Sequence, residues 1–209
     1  MKDIYIIGAS GFGREVAWLI EELNEWNIAG FIDDNEEIQN TLINDIPVAG
    51  GISFLSGVDK EINVVIAIGN PVIREKIVSI LESNPNIIFP NIIAKGVRIS
   101  KYIQLGHGNI ICTGAVLTTN IKIGNFNHIN LSCTVGHDAE LKNYITVYPS
   151  VNVSGNVTIG NSCEIGTGTK IIQGKHIGEN IILGAGSVVI KDIAECGTYV
   201  GSPARKVIR

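Results

Sequence analysis

Charge is scarce in this chain. Of its 209 residues only 17% are Asp, Glu, Lys or Arg, against roughly 25% in an average soluble domain. The net charge is -4 and no block of Lys and Arg marks a nucleic-acid face. No apolar run reaches the ~20 residues that span a bilayer. The start, MKDIYIIGASG, lacks the apolar segment and cleavage site of a secretory leader. These absences lead us to expect a cytoplasmic protein with no nucleic-acid partner and no membrane insertion. Cysteine is also sparse. Cys112, Cys133, Cys163 and Cys196 form no CxxC pair and no zinc-finger spacing, so reduced, partly buried thiols and no bound metal are expected.

What the chain has instead is a repeat. Written in sixes from residue 97, it gives sixteen rows with no insertion, among them NIICTG, AVLTTN, CTVGHD, VTIGNS and IILGAG. The third position is aliphatic in every row, from Ile99, Leu105 and Ile111 to Val189. A fixed short period is the mark of a solenoid. Period six is that of the hexapeptide repeat, which builds a left-handed parallel β-helix. Three hexads make a triangular coil of eighteen residues, each aliphatic points inward, and small first-position residues such as Cys133 and Cys163 fit the corners. Sixteen rows give a little over five coils. The tail from residue 193, with GTYVGSPARKVIR, leaves the register.

The first third has a different grammar. Ile4–Ile7 reads as a strand running into the glycine turn GASGFG, followed by the amphipathic stretch REVAWLIEELNEW. A second strand, AGFID, ends at Asp33 and Asp34; a third, NVVIAIGN, ends at Gly69 and Asn70, and a helix opens at Pro71. Strand, glycine turn and helix together let the backbone approach an anion, and carboxylates about twenty residues on accept from ribose or base. The turn departs from G-x-G-x-x-G because Ser10 holds the second glycine position. The expected fold is therefore an α/β Rossmann-like nucleotide-binding domain at 1–88, a left-handed β-helix at 89–193 and a C-terminal tail at 194–209. Only half of a dinucleotide fold fits into the first domain, which disfavours NAD.

The pieces GASGFGREV, GFIDD, AIGN, VGHD, VSGNVTIG, IGTGT, LGAGSVVIKD and VGSPAR span essentially the whole chain in order. In them the chain resembles the hexapeptide-repeat sugar acetyltransferases with an N-terminal nucleotide-sugar-binding domain. That subgroup contains UDP-4-amino-sugar N-acetyltransferases and sialic acid O-acetyltransferases. The resemblance implies acetyl-CoA as donor, a homotrimer with active sites between neighbouring β-helices, and a role in bacterial surface glycan biosynthesis. It places the general base on His137 and an orienting acid on Asp138. It implies acceptor contacts at Ser10, Gly11, Phe12, Asp33, Asp34, Gly69 and Asn70. Coenzyme A contacts are implied at Thr146, Gly155, Thr167, Gly184, Ala185, Lys191 and Arg205. Several relatives carry a histidine where Phe12 stands. Several carry a second histidine, at the thioester, where this chain has Thr146, whose hydroxyl or backbone N–H is then the expected donor.

The residues lead to His137 by a second route. It is the fifth residue of its hexad, at an outward turn, with Thr119 and Gly155 as its equivalents one coil away. Glycine beside it is expected to leave open space and an exposed N–H for a thioester. A neutral imidazole is available near pH 7 to take the proton of an attacking amine, and a carboxylate on its other nitrogen fixes the tautomer. His107, His128 and His176 carry no such context. The alternatives are O-acetylation of a sialic acid, a zinc hydratase and a non-catalytic solenoid. A hydratase needs three converging histidines, and no two of the four lie a multiple of eighteen residues apart.

Overall fold

The computed structural model describes residues 1–208; the expected tail 194–209 ends on Arg209, which lies outside them. The chain divides into two compact units, Met1–Lys95 and Gly96–Arg209.

The first unit is a twisted sheet with helices. Strands β1 (Lys2–Ile7), β2 (Trp26–Ile32), β3 (Leu42–Ile43), β4 (Ile46–Gly50), β5 (Ile62–Ile66) and β6 (Ile87–Ile88) lie in the order β3-β4-β2-β1-β5-β6. All pairings are parallel except the β3–β4 hairpin. In β1 the consecutive Ile6 and Ile7 are both buried, along with Ile4, as expected of a central strand covered on both faces. Helix α1 (Gly11–Leu23) packs Val16, Leu19 and Ile20 inward and ends where Asn24 turns left-handed, φ 56. Helix α3 (Pro71–Leu81) is capped by Asn70, whose side chain accepts from Ile73 N at 3.0 Å. The hairpin and the one-turn helix α2 (Ser53–Ser56) were not expected from sequence. Their signal is the pair Asn44-Asp45, both left-handed at the hairpin tip, a turn that asparagine and aspartate tolerate best.

The second unit is a left-handed parallel β-helix. Its first face stacks the strands from Arg98–Ile99 through Thr134–Val135 to Val188–Val189. The second runs from Gln104–Leu105 through Glu140–Leu141 to His176–Ile177, and the third carries Ile110–Ile111, His128–Ile129, Thr146–Val147 and Glu164–Ile165. Paired residues are eighteen apart, as in Thr134↔Asn152 and Lys122↔Glu140. From Ile111 to Val189 every third-position side chain is at most 4% exposed. Burying each such aliphatic contributes about 1.5–3 kcal/mol, so the core is a column of near-identical increments. Ile99 is 39% exposed, because its strand lies at the edge of its sheet and has a neighbour on one side only.

The sixth position carries a rule that the sequence reading did not extract. At every sixth residue from 108 to 186 the backbone is left-handed, with φ between 54 and 78. This is the corner turn, and it favours Gly, Asn and Asp. Gly108, Gly114, Asn120, Asp138, Asn156 and Asn180 follow the preference. Phe126 and Tyr144 do not, but their rings stack on each other at 5.5 Å and 4°. Asparagines brace the corner between the second and third faces: His107 N donates to Asn125 Oδ1, Asn125 N to Asn143 Oδ1 and Asn143 N to Asn161 Oδ1.

The tail leaves the six-residue spacing but stays in the sheet. Ile193 bridges to Ile177, Gly197–Val200 pairs in parallel with Ile181–Leu183, and Arg205–Lys206 folds back antiparallel.

Candidate active site

His137 sits at the corner between the first and second faces, between the strands Thr134–Val135 and Glu140–Leu141. Backbone bonds fix it there: Gly136 N donates to Val153 O at 2.8 Å, Asp138 N to Thr119 O at 3.1 Å, and Asn156 N to His137 O at 2.7 Å. Asp138 occupies the left-handed sixth position, φ 59. From there its Oδ2 lies 2.8 Å from His137 Nδ1. An anionic acceptor at Nδ1 keeps the ring proton on that nitrogen and leaves the Nε2 lone pair for chemistry. The imidazole beside it, and then Asn120, hold the Asp138 carboxyl below its ordinary value of 3.8.

The structure corrects one expectation about Gly155. The glycine does not leave open space with an exposed N–H. It is buried, and the imidazole lies over it: a Cβ added there would stand 2.5 Å from His137 Nε2. The missing side chain makes room for the imidazole itself.

Thr146 is a second correction. Its side chain is 1% exposed and its N–H is donated to Cys163 O at 2.9 Å. Within one chain neither group is offered at the surface to a thioester. His128, on the same face, is fully buried.

The remaining residues tied to coenzyme A fall into two groups. Gly155 and Lys191 share the corner row of His137, which runs Lys101, Thr119, His137, Gly155, Gln173, Lys191 at eighteen-residue steps. Lys191 lines a pocket of about 160 Å³ with Arg205 and with Lys206, a cation the sequence reading passed over. Lys206 is salt-bridged to Glu195 at 3.0 Å. Thr167, Gly184 and Ala185 lie on the corner between the third and first faces, at the ends of the strands Glu164–Ile165 and Ile181–Leu183. Thr167 and Ala185 are exposed one coil apart. A single chain does not bring that corner to His137.

In the first unit the strand order β2-β1-β5 brings the expected acceptor residues to one edge. Ser10, Gly11 and Phe12 follow β1, Asp33 and Asp34 follow β2, and Gly69 and Asn70 follow β5. That edge, at the carboxyl ends of parallel strands where the order reverses, is where open α/β sheets bind ligands. A pocket of about 160 Å³ opens there, lined by Gly8, Asp33, Asp34, Ile52, Ile68 and Ile73 among others. Both Asp33 oxygens are committed to the backbone: Oδ2 accepts from Ala9 N at 2.9 Å and Oδ1 from Asn35 N at 3.0 Å. Asp33 thus ties the glycine turn to β2. Asp34 Oδ1 accepts from Ile52 N at 2.8 Å, and among the described residues no donor is bonded to its Oδ2. Buried Arg74 holds the third loop, donating from Nη1 to Ile68 O at 2.6 Å.

Gly13 sets how closely α1 approaches this edge. A Cβ there would collide with Gly8 O and C, both backbone atoms. Gly13→Ala is expected to destabilise the first unit by about 3 kcal/mol, as overpacking against backbone does. A thermal melt would show the loss, and an unchanged melting curve would contradict it.

Among the described residues no group of three or more His, Cys, Asp or Glu is placed to hold a metal ion, and no helix is long and apolar enough to cross a membrane.

Residues 3–81 match the family model described as the PglD N-terminal domain. No curated protein matches the sequence. Solved structures similar to the chain include the following three. WeeI from Acinetobacter baumannii AYE is 34% identical, with TM-score 0.88 over 99% of this chain and 100% of that one. The acetyltransferase domain of PglB from Neisseria gonorrhoeae FA1090, in complex with acetyl coenzyme A, is 27% identical, with TM-score 0.91 over 99% of each chain. PerB from Caulobacter crescentus, in complex with CoA and GDP-perosamine, is 25% identical, with TM-score 0.90 over 99% of this chain and 98% of that one.

Proposed function

This chain belongs to the hexapeptide-repeat sugar N-acetyltransferases that carry a PglD N-terminal domain, and from that premise we propose that it transfers the acetyl group of acetyl-CoA to the 4-amino group of a nucleotide-linked sugar, with His137 as general base. The observation that carries the role of His137 is its Nδ1 held 2.8 Å from Asp138. The amine nitrogen attacks the thioester carbonyl and the C–N bond forms. His137 Nε2 takes the proton that the nitrogen sheds. The C–S bond then breaks, and the imidazolium returns the proton to the departing thiolate. Asp138 stabilises the imidazolium between those two events.

The corner row supports the position of the donor. From His137 to Lys191 is three coils, about 14 Å at the spacing of paired strands. An extended pantetheine arm covers such a stretch, with the cations Lys191 and Arg205 at its phosphate end. Arg205→Ala is expected to raise KM for acetyl-CoA about fivefold and to leave kcat unchanged, since it removes a charge-assisted contact made equally in ground and transition states. An unchanged KM would place the phosphates elsewhere.

The separation of Thr167 and Ala185 from His137 within one chain supports a homotrimer, in which the third–first corner of one copy meets the His137 corner of the next. The edge of the first sheet supports a nucleotide-bearing acceptor. The test is thiol release from acetyl-CoA with UDP-, GDP- and dTDP-linked 4-amino sugars and free sialic acid. Release with an amino sugar is expected. Release with sialic acid alone would make the enzyme an O-acetyltransferase, and release with none would sink the reading.

A further inference from the structure

A cleft of about 360 Å³ opens on the N-terminal side of Asp138, lined by Tyr102, Gln104, Asn120, Lys122, Asp138 and Glu140 among others. Strand register fixes how these residues stack. Gln104 pairs with Lys122, and Lys122 with Glu140, along the second face. Tyr102, Asn120 and Asp138 follow one another at eighteen-residue steps along the corner. The cleft therefore spans two strand spacings, roughly 10 Å.

Charge is ordered along it. Asp138 and Glu140 lie in the coil of His137, and Lys122 lies one coil earlier. Two coils earlier, at the far end, Lys101 Nζ stands 5.1 Å from the centroid of the Tyr102 ring. Glu140 Oε1 accepts from Lys142 Nζ at 2.6 Å, and that contact holds the Glu140 carboxyl below its ordinary value of 4.5. With Glu140 bonded to Lys142, neither Lys122 nor Lys101 is bridged to a carboxylate among the described residues. The carboxylates thus face the base end of the cleft, and two unbridged cations face the other.

A sugar with an amino group at C4 and a phosphate at C1 carries its charge in the same order. C1 and C4 are opposite corners of a pyranose, so a single ring separates the N–H donors from the anion, and the whole fits within two strand spacings. Carboxylates accept from the amino group in either of its protonation states. The corner row agrees with this direction: it has a lysine at each end, Lys101 and Lys191, with His137 between them. A donor and an acceptor that each carry phosphate away from the reacting atoms would meet at the base from opposite sides.

We propose that this cleft is the sugar subsite, taking a 4-amino sugar 1-phosphate unit with Asp138 and Glu140 toward the amino group and Lys101 and Lys122 toward the phosphate. The proposal rests on the acetyl-transfer reading above and adds to it which end of the acceptor the β-helix itself recognises.

The test is the double variant Lys101→Ala, Lys122→Ala. Both side chains are exposed, so the melting curve is expected to be unchanged. The first readout needs no turnover: the phosphorus-31 line of 4-amino-4-deoxyglucose 1-phosphate, with coenzyme A present to occupy the cations at the other end of the row. Wild type is expected to broaden that line and the double variant to leave it sharp. Equal broadening by both proteins, or none by wild type, would overturn the proposal. In thiol release the variant is expected to raise KM for the nucleotide-linked amino sugar at least tenfold, the size of lost charge-assisted contacts, with kcat and KM for acetyl-CoA unchanged. A rise in KM for acetyl-CoA instead would give the two lysines to the donor and sink the subsite. If no acceptor supports thiol release, the acetyl-transfer reading falls, while the phosphorus spectra still judge the cleft by themselves.

Discussion

His137→Ala is expected to lower kcat by about 100- to 10,000-fold, the range that a positioned general base supplies. KM for acetyl-CoA should stay near the wild-type value, because the ring lies three coils from Lys191 on the corner row. His137→Asn should lose as much, since it keeps polarity but cannot take the proton. The sign of the pH dependence follows from Asp138. Its carboxyl is held below 3.8 by the neighbouring imidazole and by Asn120. A carboxylate depressed in this way keeps its interaction above its unfolded value and loses it only as pH falls through the lower, folded one. Asp138 therefore remains ionised throughout the neutral range, and a fall in rate between pH 5 and 7 must report another group. Thiol release across pH, for wild type and both variants, checks each of these statements. Either variant keeping a tenth of the wild-type kcat would take the base role from His137.

Gly155→Ala is the second large effect, and it tests the packing. The added methyl carbon would stand 2.5 Å from Nε2, 2.6 Å from Cε1 and 3.0 Å from Cδ2 of His137. Three ring atoms cannot yield together unless the ring rotates off the corner. Glycine 155 is not at a left-handed φ, so alanine brings no backbone strain, and the melting temperature should change little. The expected result is a folded enzyme with kcat reduced about 100-fold, as when a reacting group is misplaced by roughly 1 Å. Activity within threefold of wild type would mean that the ring's seat is unimportant. Read together, the two variants separate the base from its placement.

The β-helix was legible from the sequence because its period is imposed by geometry. An inward side chain recurs every sixth residue, and nothing but an aliphatic fits there, so Ile111 through Val189 announce the core. The chemistry at His137 was legible only in part. Sequence gives the adjacency of His137 and Asp138, but whether an adjacent carboxylate can turn back to Nδ1 depends on φ at residue 138. The left-handed sixth position supplies that conformation, and a search for Gly, Asn and Asp at every sixth residue would have found it. Spacing makes Gly155 the stacking partner of His137, but it tells which residues are neighbours and not which one fills the gap, and here the imidazole does. The spacing of Asp33 from the glycine turn does not show that its two oxygens also tie that turn to its neighbours through backbone N–H groups. Lys206 lay outside the hexad register, and only the return of the tail onto the sheet brings it beside Lys191. Thr167 and Ala185 occupy a different corner from His137 within one chain, and which corner a residue occupies follows from its number modulo eighteen.

That arithmetic constrains how such a chain can change length. Between His137 and Lys191 an insertion of six residues would carry every later side chain round to the next corner. The basic pocket would then face a different edge of the prism from the base, although every aliphatic would still point inward and the fold would survive. One added residue would be worse for the core and milder for the row, because a local bulge can absorb it. Only a gain or loss of eighteen keeps base and cations on one line, and it resets the distance between them by a single strand spacing, about 4.8 Å. Lineages of this architecture are thus free to lengthen the solenoid beyond residue 193 or before residue 97, while under the proposed reading the three coils between His137 and Lys191 are held to a fixed count by the length of the donor.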